Sequence, residues 1–356
     1  MAPAPVELTL ELEPRDRVDV IDVGARLRRE LGDALDSYSR TLYCSYHTTA
    51  GYFEQSLATR LGNSRDRVKT FLNAFQGLFP PNADYEHDKI HKRRDLTDSE
   101  KKTEPRNADS HLKFIGSGLR NCVTYVNREN APVYFVDLDG VHEHGTRKRR
   151  TTVMAFDRET PVDRVDLSVP VSSHPIDSVS LRDSRLGVFE QVAELVRRHG
   201  IHRGRVDITL DPSEKSVGLT VNEYETLLMQ HDLAEVLRDP VRHAARKGRS
   251  LLRDPRAIPN KTLNYAQYDL VRVMNELMDT LRFSESVVEK LLAKFMAVPA
   301  SRFLRLKRGV SLLVATPDGE SDGAIIQGRY QSPILIQWHK AEEQRRSVTA
   351  TLYRFE

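Results

Sequence analysis

Two periodicities alternate along this chain. VELTLELEP and RVDVIDV, near the N-terminus, alternate apolar and polar residues and predict strands. GARLRRELGDALDSY repeats leucine at 27, 31 and 35, which predicts a helix with one apolar face. RTLYCSYHTTA predicts a strand, and RDRVKTFLNAFQGLFP a helix stopped by Pro80 and Pro81. The stretch 82–109 is polar and without period. HLKFIGSGL follows, and CVTYVN, PVYFVDLDG and RTTVMAFD then predict strands. Proline and serine give residues 158–175 the character of a linker, although RVDLSV within it alternates like a strand.

The pattern then starts again. DSVSL and GRVDITL predict strands on either side of the helix LGVFEQVAELVRRHG, which ends on a glycine. VNEYETLLMQHDLAEVLRD predicts a second helix. SRFLRLKRG, SLLVATPD, SPILIQWHK and RSVTATLYRF predict the closing strands. The two endings align as APVYFVDLDG…KRRTTVMAF against SPILIQWHK…QRRSVTATLYRF. A tandem duplication accounts for this best. It predicts an α+β protein of two domains, 1–160 and 161–356, each a mixed, largely antiparallel sheet with packed helices. A helical insertion is expected at about 240–300.

Composition narrows the classes. Basic and acidic residues number 54 and 51, a net charge of +3, which argues against a dedicated nucleic-acid binder. No apolar run approaches the length of a membrane span, and the N-terminus lacks the pattern of a signal peptide. Two cysteines, Cys44 and Cys122, without CxxC spacing suit buried thiols in a reducing compartment. The expectation is a cytoplasmic protein with neither a nucleic-acid nor a membrane partner.

Three histidines stand in polar, turn-rich settings: His47 in YHTTA, His87 in YEHD and His111 in NADSHLK. Three neutral imidazoles can hold a Zn²⁺-like ion and leave a position open for water or substrate. Fe, Mn, Ni or Cu suit the same ligands. Asp88 is placed to orient one imidazole. The other reading is three unrelated surface histidines.

These segments, with a basic pair before a final strand, resemble the YjbQ family, whose members are described as secondary thiamine-phosphate synthases. The resemblance spans about residues 8–157. The second half is similar more faintly, through LTVNE and GRYQ, and it carries Glu214 where the family histidine would stand. Tyr268 and Asp269 stand where YEHD would be. The resemblance implies metal binding by His47, His87 and His111 and a trimeric assembly. It also implies thiamine-phosphate synthase-like activity, here with a diverged biosynthetic role.

Around the histidines, Thr48 and Thr49 offer hydroxyl and N–H groups to an anionic oxygen. Glu54 and Asp88 are candidate catalytic carboxylates. RKRR, with Arg147 and Lys148, and HKRRD at 91–95 suit phosphate oxygens. His142 and His144 form an HxH that an accessory metal could use. The sequence thus predicts a metal-dependent transferase or hydrolase acting on a small anionic or phosphorylated metabolite, as a homo-oligomer. The other class is a non-catalytic metal- or ligand-binding oligomer.

Overall fold

The computed structural model describes residues 4–238 and 306–356, without 33, 34, 36, 144 and 318, together with 243, 246 and 247. The first half begins with β1 (Val6–Leu12), β2 (Asp19–Asp22) and α1 (Val23–Leu31), which Asp22 caps by accepting the Ala25 N–H. Leu35 lies beyond α1, because Gly32 turns the chain at φ +59°. β3 (Arg40–Ser45), β4 (Ala50–Tyr52), α2 (Gln55–Arg60) and α3 (Arg65–Ala74) follow. The aperiodic stretch holds only two short 3₁₀ turns, Ile90–Lys92 and Glu100–Lys102. It leads into α4 (Ala108–Ser117), a helix buried all round. β5 (Cys122–Val126), β6 (Tyr134–Asp137), the hairpin of β7 (Val141–His142) and β8 (Gly145–Thr146), and β9 (Arg149–Phe156) complete the half.

The second half contains β10 (Glu159–Pro170), β11 (Asp177–Ser180), α5 (Val188–His199), β12 (Arg203–Leu210) and β13 (Val217–Glu223). A π-helical turn, Leu227–Asp232, runs into α6 (Leu233–Arg238). β14 (Gly309–Ala315), β15 (Ala324–Ile326), β16 (Gln331–Gln337) and β17 (Arg345–Phe355) close the chain. The expected insertion lies almost wholly outside the described residues, as do Tyr268, Asp269 and His144.

The protein is α+β, and its sheets repeat one topology. The first half orders its strands β1-β9-β3-β5 and β2-β6-β4. The second orders them β10-β17-β12-β14-β15 and β11-β16-β13. The match reaches single residues. Ser45 N donates to Asn121 O as Leu210 N donates to Arg308 O, and the isolated bridge Tyr52–Arg120 has its counterpart in Leu219–Lys307. Every ladder among the described residues is antiparallel, so the sheets are not mixed as expected.

Two local expectations are corrected. The linker of 158–175 is mostly β10, an edge strand on β17. Pro161 fits there because the ladder slips between Pro161 and Asp163, where no amide is needed. VNE does not open a helix. It ends β13, and pairing with β16 overrides the helical spacing of the residues that follow.

Each half has a core cluster of its own, and two further clusters are shared between them. Leu228, Met229, Ile334 and Ile336 pack in one cluster with Phe71, Phe75, Leu112 and Phe114. Phe355 stacks on Phe156 at 3.8 Å in a second shared cluster. This packing brings β13 against α4 and sets the site.

Candidate functional site

His47 lies just past the tip of β3. Ser45 Oγ donates to Ala50 O at 2.6 Å and accepts the His47 N–H at 3.3 Å, pinching the connection to β4. The imidazole Nε2 accepts the Arg150 N–H at 2.8 Å, which leaves the ring proton on Nδ1. Burial, then Arg149, Arg147 and Arg150, push its pKa down to about 3, so the ring is neutral. Glu214 fills the equivalent place in the second half: its Oε1 accepts the Ser347 N–H at 2.7 Å.

His87 and His111 are buried together, with ring centroids 5.2 Å apart. Asp232 accepts the N–H groups of Glu86 and His87 and fixes the loop that carries His87. His87 Nδ1 lies 2.9 Å from Glu225 Oε2 and its Nε2 lies 3.3 Å from Asn107 Oδ1. Asn107 Nδ2 donates to Asp139, so Oδ1 is the acceptor and both His87 nitrogens serve as donors. Burial alone would lower the His87 pKa. The carboxylates of Glu225, Glu223 and Asp88 together outweigh it and hold the value above the ordinary one. His111 on α4 behaves oppositely. Burial, then the charge of His87, push its pKa down to about 3. Its Nδ1 meets Asn222 Oδ1 at 2.7 Å, and Asn222 Nδ2 donates to Thr48 O at 3.0 Å, so Nδ1 carries the proton. The bare Nε2 faces Glu223 Oε2 at 3.5 Å.

Asn222, Glu223 and Glu225 come from the second half, at or just past the end of β13. A site carried on the histidine half is therefore completed by the other half. From the same side, Gln331 Nε2 donates to Ser45 O at 2.9 Å and His47 O at 3.0 Å. Gly328 approaches so closely that a Cβ would stand 1.9 Å from Tyr46 O.

The donor set does not fit a resident divalent ion. Among the described residues no three His, Cys, Asp or Glu side chains are placed to share one. His47 Nε2 is engaged by Arg150, and both nitrogens of His87 donate. Arg93 brings a guanidinium with no exposed side chain to 3.4 Å from His87 Nε2. Its other partners are Glu223, Asp95 and Glu104. A doubly charged ion about 4 Å from it would meet repulsion of about 8 kcal/mol at an effective dielectric of 20.

Beside this cluster lies a cavity of about 90 Å³. His47, Thr48, Thr49, Arg147 and Arg149 line one side, and Arg93, Glu104 and Asn107 another. Glu223 and Tyr330 reach in from the second half. Arg149 forks onto Asp137 with two bonds of 2.6 Å, and Arg147 Nη2 lies 2.8 Å from Asp139. These aspartates hold the guanidinium planes in place. Thr49 Oγ1 accepts from Arg149 at 3.3 Å.

The remaining candidates lie elsewhere. Asp88 does not orient His87, since Glu225 has that place. Asp88 Oδ1 accepts the Ala108 N–H at the start of α4, and burial raises its pKa to about 6. Glu54 is held by Arg120 and Lys307 at 2.6 and 2.9 Å, in the seam between the halves and away from the cavity lining. Lys148 is exposed and does not line the cavity. Sequence reasoning missed Asn222, Glu223 and Glu225 as site residues and took Arg93 for part of a basic run suited to phosphate oxygens. The NE pair in LTVNE was the available signal.

No protein-family model matches the chain, and neither does any curated protein. Solved structures similar to it include a YbjQ-like protein of unknown function from Sulfolobus solfataricus P2, at 13% identity and a TM-score of 0.29. That match covers 55% of this chain and 99% of the other. A hypothetical protein from Aeropyrum pernix K1 matches at 14% identity and a TM-score of 0.29, over 55% of this chain and 100% of its own. An uncharacterised conserved protein of the yjbq/upf0047 family from Clostridium acetobutylicum matches at 10% and 0.27, over 53% and 98%.

Proposed function

We propose that the chain is an enzyme acting on a small anionic metabolite held in the cavity between its halves. The observation that carries this is the pairing of oriented guanidiniums with a neutral histidine in one cavity. Arg147 and the Thr48 and Thr49 hydroxyls suit phosphoryl or carboxylate oxygens, and His47 has an Nδ1–H left to donate. Glu223 is the candidate proton acceptor. It lines the cavity and lies beside the bare Nε2 of His111, so a proton taken from a substrate has a neighbouring base to share it. His87 and His111 are pushed apart in pKa, as in sites that separate acid and base roles. This reading needs no metal.

Tandem duplication is our account of the repeated topology. One copy keeps the histidines, and the other supplies the groups that hold them. A homo-oligomer, a trimer by the resemblance above, is part of the proposal. Light scattering giving a single 41 kDa species at micromolar concentration would remove that part.

Ligand-induced stabilisation tests the function. Phosphorylated and dicarboxylate metabolites at about 100 times their dissociation constant should stabilise the fold by about 2.7 kcal/mol, and Arg147→Ala should abolish the response. A panel that leaves the melting temperature unmoved would sink the anion reading. Turnover that survives Glu223→Gln would remove the assigned base. Binding without any turnover would favour the non-catalytic class.

A further inference from the structure

We infer that Arg93 is a built-in cation standing where the histidine cluster could otherwise take a divalent metal ion, and that it keeps the site metal-free. The inference rests on geometry and holds whether or not the neighbouring cavity binds an anion.

The surroundings of the two buried imidazoles are those of metal ligands. Each ring has its Nδ1 fixed by a side chain from the second half, Glu225 at 2.9 Å and Asn222 at 2.7 Å. Such partners orient a ligating imidazole by pointing its other nitrogen at the ion. Glu223 adds a carboxylate 3.5 Å from His111 Nε2. Two imidazoles and a carboxylate are the donor types of an ordinary zinc site, but with Arg93 in place His87 Nε2 turns to Asn107 Oδ1 and no three such donors among the described residues converge. The group found among them is the guanidinium of Arg93, whose side chain is wholly buried.

Its hydrogen-bond fork is already satisfied. Nη2 donates to Glu223 Oε1 and Asp95 Oδ2, Nε donates to Asp95 Oδ1 at 3.2 Å, and Nη1 donates to Glu104 Oε1 at 3.4 Å. Nη1 also stands 3.4 Å from His87 Nε2. A guanidinium is never a metal ligand and does not deprotonate in proteins. It therefore cannot give way to an ion by losing its charge, as a lysine can. Glu223 cannot serve both cations at full strength. Arg93 is tethered to the same chain and competes at high effective concentration. A residue of the basic run HKRRD, which by sequence suits phosphate oxygens, thus decides the inorganic chemistry of the site.

The test uses the full chain, stripped with chelator and desalted, then titrated with Zn²⁺ alone. Bound metal is measured after equilibrium dialysis, and Co²⁺ spectra report the ligand field. The parent should take up no stoichiometric zinc. Arg93→Met removes the charge at similar volume and should gain one zinc per chain, with its melting temperature raised by zinc. Adding His111→Ala should abolish that gain. Arg93→Lys keeps a positive charge and the fold, and should remain zinc-free. The inference is overturned if the parent binds one zinc per chain that is lost in His111→Ala. It is overturned equally if Arg93→Lys takes up zinc, or if folded Arg93→Met takes up none.

Discussion

His111 and His47 are neutral because burial, and for His47 the nearby arginines, make the charged ring costly. The consequence for pH follows from linkage. Their folded pKa values, about 3, lie below the unfolded value of about 6.5, so between these limits the unfolded chain binds protons that the folded chain does not. Each ring therefore removes about 1.4 kcal/mol per pH unit as pH falls below about 6.5. Asp88 acts in the opposite sense. Its folded pKa, about 6, exceeds the unfolded value of about 3.9, so it adds stability as pH falls through that window. The three groups together predict a net loss of about one proton's slope between pH 6 and pH 4. Urea midpoints at several pH values should show it, and His111→Gln should bring the slope near zero. An unchanged slope in that variant would contradict neutral burial of His111. His87 depends on Glu225 in the same direct way. Glu225→Gln should lower the His87 pKa, read by NMR, and cost about 2 kcal/mol of stability, the scale of a hydrogen bond to a charged group. A His87 pKa unmoved by that substitution would mean that the pair is not formed.

The elements deliver these side chains with different precision. His111 rides on α4, buried on every side and started by Asp88. His87 sits in a loop without regular structure and is held mainly by Asp232 from the π-helical turn. β13 is the element that joins the halves functionally. Its ladder with β16 runs from Val217 to Glu223, so Asn222 and Glu223 are aimed by a sheet rather than by a loop. The return segment at Gly328 closes the other side of the site against Tyr46. A methyl there meets backbone, which cannot rotate away, so Gly328→Ala should cost about 1–3 kcal/mol as overpacking does. It should also loosen the Gln331 bonds to Ser45 and His47. Hydrogen exchange of the 45–50 segment would detect this. Protection and melting temperature both equal to the parent's would show that the close approach does not matter.

For the whole molecule the question is whether two similar halves are two independent domains. The shared cores say that they are not. Leu228, Met229, Ile334 and Ile336 leave their cluster if the chain is cut after residue 157, and each fully buried side chain of this size contributes about 1.5–3 kcal/mol. Four of them amount to about 6–12 kcal/mol, comparable to the entire stability of a typical domain, about 5–15 kcal/mol. Residues 1–157 alone should therefore show no cooperative melting transition, and co-expression with 158–356 should restore one. A sharp, parent-like transition in the isolated first half would refute this dependence.

The amino-acid sequence by itself determined most strands, the starts of α1 and α3, the glycine stop of α5, the repeated order of elements and the three histidine segments. All of these follow from apolar spacing of two or about 3.6 residues and from glycine and proline stops, which act between near neighbours. The same local reasoning could not see that β10 occupies the stretch read as a linker, nor that VNE ends a strand, because partners far along the chain decide both. The site depended still more on long-range placement. His87 meets Glu225 across 138 positions, His111 meets Asn222 across 111, and Arg93 meets Glu223 across 130. No pattern within a window of one helix or strand encodes such encounters. They were decided when the shared core pressed β13 against α4. There Arg93, from the basic run HKRRD, became the buried centre of the site, because carboxylates from both halves compensate it.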